Sequence, residues 1–124
     1  MLIGCIPISA FASNFGMTPY YNNVQRTSTT FDINESGVAT VKTFMNGYPD
    51  TTTGATIKIK IQKRFLLFFW SDVASWTEEA TAHYYSNTHS VTVEKGDYRA
   101  QVEYTIYGTG GSPDVITDEL ERSY

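Results

Sequence analysis

The chain has 124 residues, of which 41% are hydrophobic, so it is long enough to enclose one core and too short for two ordinary domains. The 15% aromatic content favours β-strands over helices, and the formal net charge of -4 provides no diffuse positive field that would attract nucleic acid. Cys5 is the only cysteine, which excludes an internal disulfide and every zinc site built on cysteine pairs.

The first twelve residues form an apolar run that ends in a small-x-small pattern at Ala10 to Ala12, the form of a signal-peptidase site. We therefore expect residues 1–12 to be a signal peptide, truncated because it lacks a positively charged start, and the protein to be secreted or held at the cell surface. Two alternatives are a first strand of the fold and a lipid-attachment site at Cys5. No apolar run reaches the ~18 residues of a membrane-spanning helix.

Residues 13–26 have neither helical nor strand periodicity and are interpreted as a leader segment before a domain over residues 27–124. The domain begins with a predicted strand at Thr27–Ile33, a turn cluster, and a second strand at Val38–Phe44. Glycine, proline, asparagine and aspartate then predict a long loop over residues 46–54.

Residues 55–64 give the clearest strand signal, because isoleucine alternates along them with lysine or glutamine. The next six residues, 65–70, are all apolar and interrupt that alternation. Because alternate side chains of a strand point to opposite faces, all six cannot face one core. The pattern predicts a turn within residues 65–69 and a return strand over residues 70–76.

The rest of the chain continues as short strands and turns. In chain order we predict a strand over residues 78–85, a turn at Ser86–Thr88, a strand at His89–Val93, a turn, a long strand at Tyr98–Ile106, a glycine-rich loop, and a last strand at Val115–Tyr124. About seven short strands with a turn every 8–12 residues are typical of an all-β, two-sheet antiparallel sandwich.

Residues 91–104 resemble the E strand, turn and F strand of fibronectin type III and related immunoglobulin-like domains. The matching motif is Gly96-Asp97-Tyr98, followed by the long alternating strand. The resemblance implies a structural corner in which the Tyr98 ring packs on the core and its hydroxyl bonds backbone a few residues upstream. Gly96 would permit the backbone conformation that the sharp turn requires. The implied fold is an immunoglobulin-like or fibronectin type III-like sandwich.

Over residues 27–124 the chain is also similar to uncharacterised small secreted β-sandwich proteins of Gram-positive gut bacteria. The similarity rests on the signal-like start, the loop at residues 47–54, the spacing of Trp70, Val73 and Trp76, and the Gly96-Asp97-Tyr98 corner. Those proteins are expected to carry a polar turn where this chain has residues 65–69. The resemblance implies a fold and export, and it carries no activity with it.

No catalytic motif stands out in the chain. It has no Gly-x-Ser-x-Gly elbow and no pairing of cysteine with histidine that would make a nucleophile. His83 and His89, across the predicted turn, are candidates for a metal pair, but two exposed strand histidines are the simpler interpretation. Glu78 and Glu79 point to opposite faces of a strand, and the acidic residues of 114–121 are interpreted as a solvated tail. We therefore predict no enzyme, cofactor or metal; a hydrolase that uses either histidine is a weaker alternative.

Two surface features are candidates for binding. The first is a basic row on one strand, Lys58, Lys60 and Arg64, whose simpler interpretation is cross-strand pairing with Glu103. The second is the apolar run of residues 65–70. It would form an exposed contact surface, unless the leader segment folds over it.

The predicted binding residues are Phe65, Leu66, Phe68, Phe69, Trp70 and Trp76. Aromatic rings with polar edges suit carbohydrate or a cell-surface protein, and the flanking basic residues suit a membrane surface. The leading hypothesis is therefore a secreted, non-catalytic binding module. The alternative is a structural subunit that assembles through open sheet edges.

Overall fold

Seven β-strands make up the regular structure of residues 21–124, the part of the chain that the computed structural model describes. They are β1 (Val24–Ile33), β2 (Val38–Gly47), β3 (Thr52–Phe65), β4 (Phe69–Ala80), β5 (Tyr84–Thr92), β6 (Asp97–Gly108) and β7 (Asp114–Ser123). Within these residues, no helix is long and apolar enough to cross a membrane. The expected signal peptide, residues 1–12, and the first part of the leader segment lie outside the described residues.

The strands form two antiparallel sheets. One sheet has the order β1-β2-β5, and the other has the order β4-β3-β6-β7. The predicted all-β, two-sheet antiparallel sandwich of about seven strands is confirmed. Strands β3 and β6 lie at the centre of the larger sheet, where each pairs on both sides, so β4 and β7 are its edges.

The core lies between the sheets and is built from alternate residues of the strands, because successive side chains point to opposite faces. The alternation in β3 places its three isoleucines in this core, as expected. The largest fully buried side chains include Tyr98, Tyr104, Phe31, Met45, Ile57, Ile59, Ile61, Ile106, Val24, Val41 and Val102. A single apolar layer therefore joins both sheets along their length.

The prediction for the β4–β5 region is wrong in its boundaries. Strand β4 continues to Ala80, the chain turns over residues 81–83, and β5 runs straight through Ser86–Thr88, which had been predicted as a turn. Serine, asparagine and threonine favour turns locally, but here the backbone of β5 pairs along its whole length with β2. Sheet pairing outweighs that local preference.

The predicted loop before β3 is too long. Residues Thr52 to Gly54 belong to β3, which leaves only residues 48–51 outside the strands. A Cβ added at Gly54 would lie 2.4 Å from the Ala80 carbonyl oxygen. Glycine here therefore permits close approach of two backbones rather than a turn.

The corner before β6 has the geometry that the resemblance implies. The Tyr98 ring is buried, and its hydroxyl donates to the Glu94 carbonyl oxygen at 2.6 Å. The turn is held from the other side by Gly96, which exchanges two backbone hydrogen bonds with Tyr124, of 3.1 and 2.9 Å. The hydroxyl thus finds a partner although the ring is buried.

Two carboxylates of β7 are buried, so the prediction that residues 114–121 form a solvated acidic tail is wrong for them. Asp114 accepts hydrogen bonds from the backbone N–H groups of Asn22 (2.9 Å), Asn23 (2.7 Å) and Val24 (3.0 Å). Asp118 accepts one from a threonine hydroxyl of β1 at 2.7 Å. Asp114 therefore holds residues 22–24, where the chain enters β1, beside the start of β7.

Candidate functional site

The β3–β4 hairpin ends in an exposed apolar cluster at residues 65–69, called the tip below. The exposed fractions are 45% for Phe65, 74% for Leu66, 76% for Leu67, 82% for Phe68 and 55% for Phe69. Single exposed apolar residues are ordinary, but five large ones in succession make a continuous patch of the kind found at interaction sites.

The backbone of the tip is a tight turn with an unfavourable choice of residues. Leu66 and Leu67 have φ angles of 51° and 68°, and the Phe68 N–H donates to the Leu66 carbonyl at 2.7 Å. The left-handed region is usually taken by glycine or asparagine, and other residues in it cost about 1–3 kcal/mol each. Neither burial nor turn geometry favours leucine here, so its apolar surface needs another explanation.

The two strand ends below the turn are fixed by an aromatic pair. The rings of Phe65 and Phe69 stack with centroids 5.5 Å apart and an interplanar angle of 30°. These residues are also the last cross-strand partners of the β3–β4 register. The base of the tip is therefore held together by contacts of the chain itself.

The basic residues at the base of the tip are already paired. The Lys63 ammonium lies 3.8 Å from a Glu94 carboxylate oxygen. The Arg64 guanidinium lies 3.2 Å from Glu121 and 3.9 Å from Asp97. The positive charges beside the tip are thus balanced by carboxylates of the same chain.

Trp70, predicted as a contact residue, lies below the tip on the outer face of the larger sheet. The guanidinium of Arg99 lies 4.3 Å from its ring centroid and that of Arg64 lies 5.0 Å away, both cation–π contacts. Arg99 is held in turn by Gln62, which accepts from its Nε at 2.8 Å. The Trp70 ring is half-buried under these arginines and offers less free surface than the tip.

The described part of the leader segment, residues 21–26, does not cover the tip. Its backbone binds Asp114 at the start of β7, whereas the tip lies beside Glu121, near the end of the same strand. Glu121 follows Asp114 by seven residues of β7, which corresponds to roughly 24 Å at the usual strand rise. The rest of the leader segment, residues 13–20, lies outside the described residues.

Trp76, the last predicted contact residue, is not part of the tip. It belongs to a polar group between the sheet edges, formed by Trp76, Glu78, Tyr85, Asn87 and His89 and called the β4–β5 cluster below. The Trp76 and His89 rings stack at 4.7 Å and 16°. The Tyr85 hydroxyl donates to Glu78 at 2.9 Å and accepts from Asn87 at 2.7 Å. Burial, with the nearby Glu78 carboxylate, raises the pKa of Tyr85.

His89 lies close to a carboxylate in this cluster, but the two groups are not aligned for a hydrogen bond. Its Nε2 atom lies 2.8 Å from Glu78 Oε2, yet the carboxylate lies outside the direction needed for an aligned hydrogen bond. The contact between His89 and Glu78 is therefore a close electrostatic one. The Nε2 atom is also buried. This nitrogen is therefore closed to solvent.

The proposed histidine pair does not form. His83 lies in the turn over residues 81–83, where its carbonyl accepts from Gly47 N–H at 2.6 Å, and His89 lies in the middle of β5. The pairing hypothesis placed the turn at Ser86–Thr88, where the structure has strand. Within residues 21–124, no three or more histidine, cysteine, aspartate or glutamate side chains are grouped as a metal site would require.

The basic row of β3 lies on the outer face of the larger sheet, where Lys58 and Lys60 line a shallow groove of about 540 Å³. Lys58 lies opposite Glu103 in the β3–β6 register, as the simpler interpretation requires. Lys60 lies 3.8 Å from Asp72. Positive and negative side chains alternate across this face, so it presents no basic patch.

Two features of the site were not predicted. Leu67 was left out of the predicted contact residues, although the uninterrupted apolar run included it. The β4–β5 cluster was also missed; its signal was the spacing of two between Tyr85, Asn87 and His89, which puts three polar side chains on the inner face of one strand. Compared with known proteins, the chain matches no protein-family model and no curated protein.

Proposed function

We propose that the chain is a secreted or surface-associated, non-catalytic interaction module and that the tip is its contact surface. The observation that carries the proposal is the exposure of five large apolar side chains on a left-handed turn. Leu66 and Leu67 destabilise the turn and are not needed by the core. Residues that oppose local stability in this way are found at sites of function.

The proposal includes a fibronectin type III-like character for the sandwich. It is supported by the sheet orders β1-β2-β5 and β4-β3-β6-β7 and by the bond from the Tyr98 hydroxyl to the Glu94 carbonyl. Domains of this type commonly present loops at their ends as binding sites, which suits a contact surface at the end of a hairpin. The similarity to small secreted bacterial sandwiches stays a prediction.

A protein surface is the partner class that the tip fits best. Its outermost side chains, Leu66, Leu67 and Phe68, have no polar atoms. Carbohydrate recognition combines a free aromatic face with hydrogen-bonding groups. The nearest tryptophan, Trp70, is instead in contact with two arginines. An apolar pocket on another protein would bury the tip without leaving polar groups unpaired.

A structural subunit that assembles through sheet edges is the second candidate, and one observation favours it. Strand β4 is a 12-residue edge that pairs only with β3 and continues directly from the tip. It contains no lysine or proline, residues that commonly protect edges. A register shift opposite Ile61 and Gln62 interrupts its pairing, which limits the length of edge that a neighbour could extend.

Binding to a panel of immobilised cell-surface proteins and glycans, measured by surface plasmon resonance, tests the main proposal. The informative variant is Leu66→Asn/Leu67→Gly/Phe68→Thr, which removes apolar surface while keeping turn-compatible residues. Val115→Thr, an exposed apolar residue of β7, is the matched control. We expect any specific ligand to bind the wild type and the control and to lose at least tenfold in affinity for the tip variant. Equal binding by all three proteins would contradict a contact role for the tip.

A further inference from the structure

We infer that the partner of the tip is a second copy of this chain, bound tip to tip. The inference rests on the proposed function, since it requires the tip to be a contact surface. The pairing is isologous: residues 65–69 of one copy meet the same residues of the other about a twofold axis. Three properties of the tip lead to this partner.

The first property is its area. With about 200 Å² for a large apolar side chain, the exposed fractions of residues 65–69 leave roughly 650 Å² of accessible surface on each tip. Two tips in contact could remove at most roughly 1,300 Å² in total, at the lower end of the range of specific interfaces. A second copy therefore offers apolar surface of the size that the tip needs to be covered.

The second property is that the tip has no charge of its own and is compatible with itself. Residues 65–69 are all apolar, so no like charges oppose each other when identical surfaces meet. The Phe65–Phe69 stack holds the surface in shape before association. The base of the tip therefore loses little conformational freedom on binding.

The third property disfavours a lipid surface as the partner. Apolar hairpins that dock on anionic membranes depend on free basic residues beside the inserted side chains. Here Lys63 is paired with Glu94, and Arg64 with Asp97 and Glu121. The three carboxylates leave the base of the tip without an excess of positive charge, so attraction to anionic lipid is weak.

Sedimentation equilibrium of the full chain tests the inference, from about 1 µM to about 500 µM, a range that detects dissociation constants typical of weak to moderate dimers. We expect the wild type and Val115→Thr to approach twice the mass of one chain as concentration rises. Leu66→Asn/Leu67→Gly should weaken association at least tenfold, and Phe68→Thr alone should weaken it in the same direction. Circular dichroism of each variant confirms that the sandwich is folded.

A wild type that stays monomeric throughout the range would overturn the inference, as would tip variants that dimerise as well as the wild type. Cosedimentation with vesicles of phosphatidylcholine and phosphatidylserine separates the lipid alternative: a monomer that binds these vesicles through the tip has a lipid partner instead. A monomer whose tip binds another immobilised protein overturns the inference but leaves the proposed function intact. If no binding of any kind depends on the tip, both fail.

Discussion

Replacing Leu66 with Asn and Leu67 with Gly should stabilise the monomer, even though two large apolar side chains are lost. Both leucines have left-handed φ angles in the three-residue loop between Phe65 and Phe69, and asparagine and glycine are the residues that tolerate this region best. The leucines are 74% and 76% exposed, so the substitution removes little buried surface. The gain comes from relief of the turn.

The size of the gain follows from the backbone. A residue other than glycine in the left-handed region costs about 1–3 kcal/mol, and asparagine at position 66 retains part of that cost. Glycine at position 67 removes it but increases the entropy of the unfolded chain, which offsets about 0.5–1 kcal/mol. We therefore expect the free energy of unfolding to rise by about 1–2 kcal/mol.

Urea unfolding at low micromolar concentration, followed by tryptophan fluorescence, measures this change. Leu120→Ala serves as the contrasting control, because Leu120 is 3% exposed in the core and its truncation should cost about 2–5 kcal/mol. A loss of more than about 1 kcal/mol in the tip variant would show that the leucines pack against the folded chain. The reasoning about an exposed, strained tip would then be refuted.

Three further predictions concern buried hydroxyl groups that affect the stability of the sandwich. Tyr98→Phe should lower the free energy of unfolding in urea by about 0.5–1.5 kcal/mol, because it removes the corner hydrogen bond. Tyr84→Phe, at an exposed tyrosine, should change stability little, and equal effects of the two substitutions would contradict a stabilising role for the corner hydrogen bond. Thr43→Val should be neutral or stabilise by up to about 1 kcal/mol, because the buried Thr43 hydroxyl has no partner among the described residues. Thr29→Val should cost about 1–3 kcal/mol, because its hydroxyl is bonded on two sides. A larger loss of stability for Thr43→Val than for Thr29→Val would be inconsistent with these contacts. Burial raises the pKa of Tyr104 from 10.0 to about 12. The stability that the neutral phenol contributes is therefore complete below pH 10 and is lost as the pH rises through 12. Tyr104→Phe should flatten this alkaline fall of the free energy of unfolding, and an unchanged slope would count against the prediction.

The alternation of apolar and polar residues predicts most of the fold, because one face of each strand is buried. It identifies β3 and β6 closely, since both lie at the centre of a sheet and their inward residues are apolar over most of their length. It fails at β5, where Tyr85, Asn87 and His89 put polar groups on the inner face. An edge strand with a polar inner face has no simple periodic signal, so the turn propensity of Ser86–Thr88 led to a predicted turn where the structure has a strand.

Long-range contacts account for the other errors. Asp114 is buried because it binds backbone groups 90 to 92 residues away in the chain, and no local sequence pattern indicates such a partner. The apolar run at residues 65–70 did predict a turn and a departure from one core face. Whether that run is exposed depends on what packs against it in three dimensions, which is why the sequence left two alternatives open.

Hydroxyl-radical footprinting with mass spectrometry tests the central claim, an exposed tip that serves as a contact surface, most directly. In dilute protein we expect rapid oxidation of Leu66, Leu67 and Phe68, while Phe31, which is fully buried, stays protected as an internal control. At high concentration the tip should become protected, and Val115 should stay reactive. Protection of the tip already in dilute monomer, at the level of Phe31, would show that the chain covers the cluster itself and would contradict a contact role for the tip.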